Sequence, residues 1–374
     1  MTRAVVRGRL VLDDDVTPGS LTIEDDRIAA VSLEPDAADA ATLPFVTPGF
    51  VDVHVHGWGG HSAMGPTDAL DGMARVMARH GVTSFLPTAW TTPLAELRAF
   101  AERVRAWIPR APRDGADPLG FNLEGPFIAP ARKGAHEPSL ILAPADVPWS
   151  EIEPLVDGLR LTTIAPDIPG GLELIRRLSA LGVRISVGHS AADLATARAG
   201  YDAGGTTTTH LFNAMSGVDH HHPGVAVVAL SRDDVYVELI ADGQHVDPSL
   251  WPIIWRTKPA DRLMLVSDAL ELAGTGDGEV TMGTLKIEVR GPVATLAGTS
   301  TLAGSVICLD SAVRNLVRAG APIPRAVAAA SRNPLTMLGV TDRGRLAGGQ
   351  RADLVELDDA MDVRRVMRAG AWLD

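Results

Sequence analysis

The chain has 374 residues, of which 46% are hydrophobic, and a formal net charge of −12 at pH 7. That apolar content builds a large core and excludes a disordered chain, while the acidic balance points away from nucleic acid and anionic membranes as main partners. The single cysteine, Cys308, rules out an intrachain disulfide and fits a reducing compartment.

The N-terminal stretch MTRAVVRGRLVLDDD lacks an apolar run of signal-peptide length, and no later segment is long enough to span a bilayer, so a cytoplasmic protein is expected. Residues 1–45 read as short strands broken by Asp, Gly and Pro: VVRGRLVL, SLTIEDDRIAAVS and TLPFVTPG. Residues 344–374 read the same way, which predicts that the two chain ends meet in one small β-domain.

Between them, residues 46–343 repeat one unit: an apolar strand, a helix, then Gly or Pro. Eight strands are predicted, at Gly49–His54, Val82–Pro87, Leu119–Glu124, Leu159–Ala165, Val183–Gly188, Gly205–His210, Val235–Ala241 and Arg262–Ser267. Helix stops at His80-Gly81 and Leu181-Gly182 immediately precede two of them. Eight such units make a (β/α)8 barrel, whose chemistry sits at the C-terminal strand ends. After the eighth strand, GEVTMGTLKIEVRGPVATLAGT reads as an insertion with hairpin turns at Gly283 and Gly291. Helical segments then run from Ser305 to about Leu338, with a break expected at Asn333-Pro334. Cys308, in an apolar stretch, reads as a small core residue.

Six of the eight strand ends carry metal-type or acid/base residues: Asp52-Val53-His54-Val55-His56, Glu124, His189, His210, Asp242-Gly243-Gln244-His245 and Asp268. Glu124, His189 and His210 form a two-histidine, one-carboxylate set that suits a divalent metal such as zinc or Fe(II) and leaves a position open for water. His54 and His56, two residues apart on a strand, point to the same side and are expected to hold a second ion or to orient substrate. With no lysine at the fourth strand end, Glu124 is the candidate for a bridging ligand. Asp268 is the candidate general base and acid. His245 is placed to bond a scissile carbonyl or a substrate hydroxyl. Lys133-Gly134-Ala135-His136 and Asn213-Ala214 lie in loops beyond ligands, where main-chain N–H groups can meet an anion or sugar hydroxyls.

The motifs PGFVDVHVHG (48–57), LEGPF…KGAH (123–136), GHS (188–190), THLFNAM (209–215), ADGQHV (241–246), VSDA (266–269) and TLAGS (301–305) resemble, in order, those of the N-acetylglucosamine-6-phosphate deacetylases of the amidohydrolase superfamily. The resemblance spans nearly the whole chain. It implies an α/β protein: a distorted (β/α)8 TIM barrel over residues 46–343, with a small β-sandwich domain formed by 1–45 and 344–374, assembled as a homodimer. It implies Glu124, His189 and His210 as metal ligands, Asp268 as proton acceptor and donor, and His245 near the acetyl carbonyl. Substrate contacts then fall on Ala135, His136, Asn213, Ala214 and Leu302-Ala303-Gly304. One departure stands out. Where that family carries an arginine that grips the sugar phosphate, this chain has His221, within Asp219-His220-His221-His222-Pro223-Gly224. A neutral imidazole offers one donor and no fixed charge, so either His221 binds phosphate more weakly or the substrate lacks phosphate there. The expected activity is hydrolysis of the N-acetyl amide of an amino sugar or its 6-phosphate. The alternatives are an unphosphorylated or epimeric N-acetyl sugar, another N-acyl amine, or a non-catalytic binding protein that keeps the barrel.

Overall fold

A computed structural model describes residues 3–373. Eight parallel strands make the barrel wall: β1 (Phe50–Val55), β2 (Val82–Ala89), β3 (Phe121–Glu124), β4 (Leu159–Ile164), β5 (Arg184–Val187), β6 (Gly205–Thr208), β7 (Tyr236–Leu239) and β8 (Leu263–Leu265). They are hydrogen-bonded in chain order from β1 to β8. No ladder joins β8 back to β1; the gap is spanned by the Asp268 N–H donating to the His54 carbonyl at 2.9 Å. The Ser267 N–H reaches the Asp52 side chain at 3.4 Å beside it. All eight predicted strands are present, with shifted boundaries.

The outer helices dock by one apolar stripe each. Helix Leu94–Trp107 buries Leu97, Phe100, Ala101, Val104 and Trp107, the i, i+3, i+4, i+7 rhythm of a helix facing a core. Trp107 meets Phe85 of β2 edge-on at 6.2 Å, and Phe100 meets Phe121 of β3 at 5.6 Å. These aromatic contacts seat the helix against β2 and β3.

The chain ends form a second, seven-stranded sheet in the order Ala371–Leu373, Val363–Arg368, Leu354–Leu357, Phe45–Pro48, Arg3–Val11, Val16–Glu24, Arg27–Leu33. Phe45–Pro48 sits between N-terminal and C-terminal strands and leads straight into β1. Asp117, paired to β2, accepts from Arg343 at 2.7 Å, Arg351 at 2.6 Å and Arg368 at 3.0 Å, tying the C-terminal segment to the barrel. The insertion is a three-stranded antiparallel sheet, Gly278–Met282, Leu285–Arg290 and Val293–Leu296, with left-handed Gly283 and Gly291 at its turns, as expected. The break expected at Asn333-Pro334 is corrected: helix Ile323–Ala330 ends at Ser331, and Pro334 lies in the first turn of helix Arg332–Leu338, where a missing N–H costs nothing. Among the described residues no helix is long and apolar enough to cross a membrane.

Candidate active site

The C-terminal strand ends converge on one carboxylate. Glu124, at the end of β3, places Oε1 3.0 Å from His189 Nε2 and 2.9 Å from His210 Nε2. Its Oε2 lies 3.1 Å from His56 Nε2 and 3.5 Å from His136 Nε2. Asp268 Oδ1 is 3.2 Å from His56 Nε2, and His54 Nε2 stands 3.6 Å from both carboxylates. His189, His210 and Asp268 have φ of 45°, 25° and 51°, left-handed values that non-glycine residues hold only under constraint. Each strained residue follows its strand by two or three positions and turns its side chain into the barrel mouth.

Hydrogen bonds behind the rings decide which nitrogen faces the centre. His56 Nδ1 lies 3.1 Å from the Thr88 carbonyl and His189 Nδ1 lies 2.8 Å from the Arg132 carbonyl. A carbonyl only accepts, so both Nδ1 atoms donate, and in the neutral ring Nε2 is a lone pair turned inward. His136 is reversed. The Thr91 N–H donates to its Nδ1 at 3.3 Å, so the neutral ring carries its proton on Nε2 and presents a donor to the site.

Lone pairs from these rings therefore meet carboxylate oxygens, an arrangement that requires positive charge at the centre. The electrostatics agree. Burial opposes ionisation of Glu124, but the His54 charge and the surrounding imidazoles hold it well below the usual carboxylate range. Burial likewise works against Asp268, and His54 and His56 still keep it low. Burial would neutralise His56, yet Asp268 and Glu124 raise it to about 9. Burial pushes His189 down to about 4, leaving a neutral ring suited to bind a cation. His54 Nε2 is buried without a hydrogen-bond partner among the described residues. These donors fit a divalent cation: carboxylate oxygens and imidazole nitrogens inside ligand range of one another. His54, His56, Glu124 and Asp268 form one such group; His136 stands as close to Glu124 and His189, but its Nε2–H is a donor and not a ligand.

The cluster floors a cavity of about 860 Å³. Ala135, His136, Asn213, Ala214, His245, Leu302, Ala303 and Gly304 all line it, beside His56, Glu124, His189, His210 and Asp268. His54 lies beneath, 1% exposed. The His245 Nδ1–H donates to the Asp242 carboxylate at Oδ2 over 2.7 Å, which leaves Nε2 for the cavity. Gly304 has φ 64°, and a Cβ there would lie 2.8 Å from the Asp268 carbonyl, so this close approach needs glycine.

His221 is not brought to the cavity. Its loop is exposed, Asp219 Oδ1 accepts the N–H groups of His221 and His222, and His221 packs on His220 at 3.9 Å. The cations that do line the mouth are Arg132 and Lys133. Sequence reasoning assigned no role to Trp90, Thr91, Arg132 or the insertion residues Met282, Leu285 and Ile287, which wall the cavity. It also overlooked Glu238, buried behind His54; one charged residue in the apolar run Val235–Ala241 was the available signal.

Comparison with known proteins gives a consistent picture. The model of the amidohydrolase family matches residues 45–373. An N-acetylgalactosamine-6-phosphate deacetylase of Escherichia coli O157:H7 is 36% identical over 98% of this chain and 98% of its own. An N-acetylglucosamine-6-phosphate deacetylase of Bos taurus is 37% identical over 98% of this chain and 90% of its own. Among solved structures, a variant N-acetyl-D-glucosamine-6-phosphate deacetylase of Mycobacterium smegmatis, in complex with N-acetyl-D-glucosamine-6-phosphate, superposes with a TM-score of 0.91 at 35% identity, each chain covered in full at 100%. Fold and sequence thus agree, and the chain belongs to the amidohydrolase family.

Proposed function

We propose that this protein is a metal-dependent deacetylase that hydrolyses the N-acetyl amide of an amino sugar 6-phosphate, N-acetylglucosamine 6-phosphate first, releasing the free amine and acetate. The observation that carries this reading is the placing of Asp268, against His56, and the His136 Nε2–H, against Glu124, at the floor of one cavity of about 860 Å³.

Glu124, His189 and His210 would hold one divalent cation, with zinc the first choice and Fe(II) or another divalent ion next; His54 and His56 mark a second position. When bound, such a cation polarises the amide carbonyl and makes water acidic near neutral pH. Asp268, ionised at neutral pH, takes the proton of the attacking water and returns it to the departing amine nitrogen. The His136 Nε2–H donates to the carbonyl oxygen as negative charge develops there. His245, whose Nδ1–H is held by Asp242, reaches in from the opposite loop and accepts at Nε2 from a sugar hydroxyl. Ala135, Asn213, Ala214 and Leu302-Ala303-Gly304 line the place for the sugar. Arg132 and Lys133, at the mouth, suit the phosphate in the role that His221 does not fill within one chain. Met282, Leu285 and Ile287 cover the cavity and limit water access. A homodimer and a cytoplasmic setting complete the proposal.

The Escherichia coli relative acts on the galactosamine epimer by name, so both epimers belong in the test. Steady-state acetate release should be measured on N-acetylglucosamine and N-acetylgalactosamine, each with and without 6-phosphate, after loading with zinc, Fe(II) or Co(II). A metal-dependent preference for a 6-phosphate supports the reading; no acetate release from any of the four overturns it.

A further inference from the structure

Glu238 is a buried carboxylate that the chemistry above does not use. It sits in β7 between Val237 and Leu239 with no exposed surface. Its Oε2 accepts from two partners: His54 Nδ1 at 3.1 Å and the His210 main-chain N–H at 3.2 Å. Its Oε1 has no partner among the described residues. An acid left half-satisfied in a dry interior is costly, so its retention calls for a reason.

The geometry points to Glu238 as the positioning residue for His54. A carboxylate behind Nδ1 keeps a proton on that nitrogen and turns Nε2, as a lone pair, toward the gap between Glu124 and Asp268. Without that acceptor the ring is free to flip or change tautomer, and a proton on Nε2 would close the second cation position. The same oxygen also holds the amide of His210, at a residue with φ 25°. One atom thus pins a side chain from the His54/His56 pair and the main chain of a ligand from the Glu124/His189/His210 set, and so fixes the spacing of the two positions. His56 takes the equivalent support from the Thr88 carbonyl and His189 from the Arg132 carbonyl, so Glu238 supplies the support that His54 would otherwise lack.

This inference rests on the metal-dependent reading, but its test uses no substrate, so the failure of one is distinguishable from failure of the other. Metal-stripped parent, Glu238→Met and Glu238→Gln would be titrated with Zn(II) by calorimetry and counted by elemental analysis after gel filtration. The parent is expected to bind two equivalents. Glu238→Met should lose the weaker one, or bind it about 10–100-fold less tightly, and keep the other. Glu238→Gln, whose amide oxygen can still accept from Nδ1, should recover most of that loss. His54→Ala should lose the same equivalent, and Glu238→Met should add nothing to it. A parent that binds one equivalent, or Glu238→Met with both equivalents at parental affinity, overturns the proposal. If Glu238→Met does not fold, long-range ¹⁵N–¹H spectra of histidine-labelled, Zn-loaded parent decide: His54, assigned by its absence from His54→Ala, should carry its proton on Nδ1, and a proton on Nε2 overturns the proposal.

Discussion

Replacing His136 by Phe separates transition-state stabilisation from metal binding. In the structure His136 is 6% exposed, its Nδ1 is occupied by the Thr91 N–H, and its Nε2 is 3.5 Å from Glu124, at the outer limit of a hydrogen bond. The Nε2 proton is therefore available to a substrate carbonyl, and water cannot readily stand in for it. Removing one donor from an oxyanion site costs about 10²–10³ in kcat, or about 2.7–4 kcal/mol. His136→Phe is accordingly expected to lower kcat by that factor with KM changed less, while metal content by elemental analysis stays at the parental level. His136→Gln, which keeps an N–H, should fall between the two. The assay is steady-state acetate release at saturating metal. A His136→Phe enzyme that turns over within about threefold of the parent would refute the assignment of the donor, and with it the tautomer argument.

Asp268→Asn should cut kcat by about 10²–10⁴ with the cation retained, checked by kinetics and metal analysis together. Chelation should abolish acetate release and lower Tm, since a cation present at 100 times its Kd stabilises the folded form by about 2.7 kcal/mol; re-addition of metal should restore both. Arg132→Ser with Lys133→Met should raise KM for the 6-phosphate about tenfold or more and leave the unphosphorylated sugar unaffected, as loss of charge-assisted hydrogen bonds of about 1.5–3 kcal/mol requires. Burial opposes ionisation of Asp117, but Arg351, Arg343 and Arg368 hold its pKa below the usual value. That stabilisation is complete above the unfolded pKa and is lost as pH falls through the lower folded pKa. Asp117 is 24% exposed in its side chain, so Asp117→Asn should cost about 2–3 kcal/mol at neutral pH, the buried-pair figure discounted for solvent. The difference in Tm from the parent, measured without metal, should shrink below about pH 4.

Much of the site was legible because strand ends are legible. His189, Glu124 and Asp268 each close an apolar run and His210 closes the β-branched run Thr206–Thr209, and eight such strands leave one fold that brings them together. The residues that support them were harder to see. Glu238 looks like a lone polar interruption of an apolar run until the barrel interior shows what lies behind it. His136 stands out in a loop, but its donor role depends on an N–H from Thr91, 45 positions away. His221 shows a different limit: its place in a motif suggested a ligand contact, whereas within one chain the Asp219 turn holds it in solvent. Pro334 was read as a breaker because Pro disrupts helix interiors, yet it is tolerated in a first turn. The hairpin Gly278–Leu296 was visible as strands, but that it roofs the cavity depends on where it folds back, which local pattern does not encode.

The strand Phe45–Pro48 has its partners at the two extremes of the chain, Arg3–Val11 on one side and Leu354–Leu357 on the other. A nascent protein emerging from the ribosome can pair the first of these early, but the second edge stays open until Leu354–Leu357 has been made. Because Phe45–Pro48 runs directly into the segment bearing His54 and His56, those imidazoles gain their final anchorage only once that distant strand has been synthesised. Truncating the C-terminal strands would thus expose a sticky β-edge and loosen the catalytic floor at once, although no residue removed lies near it.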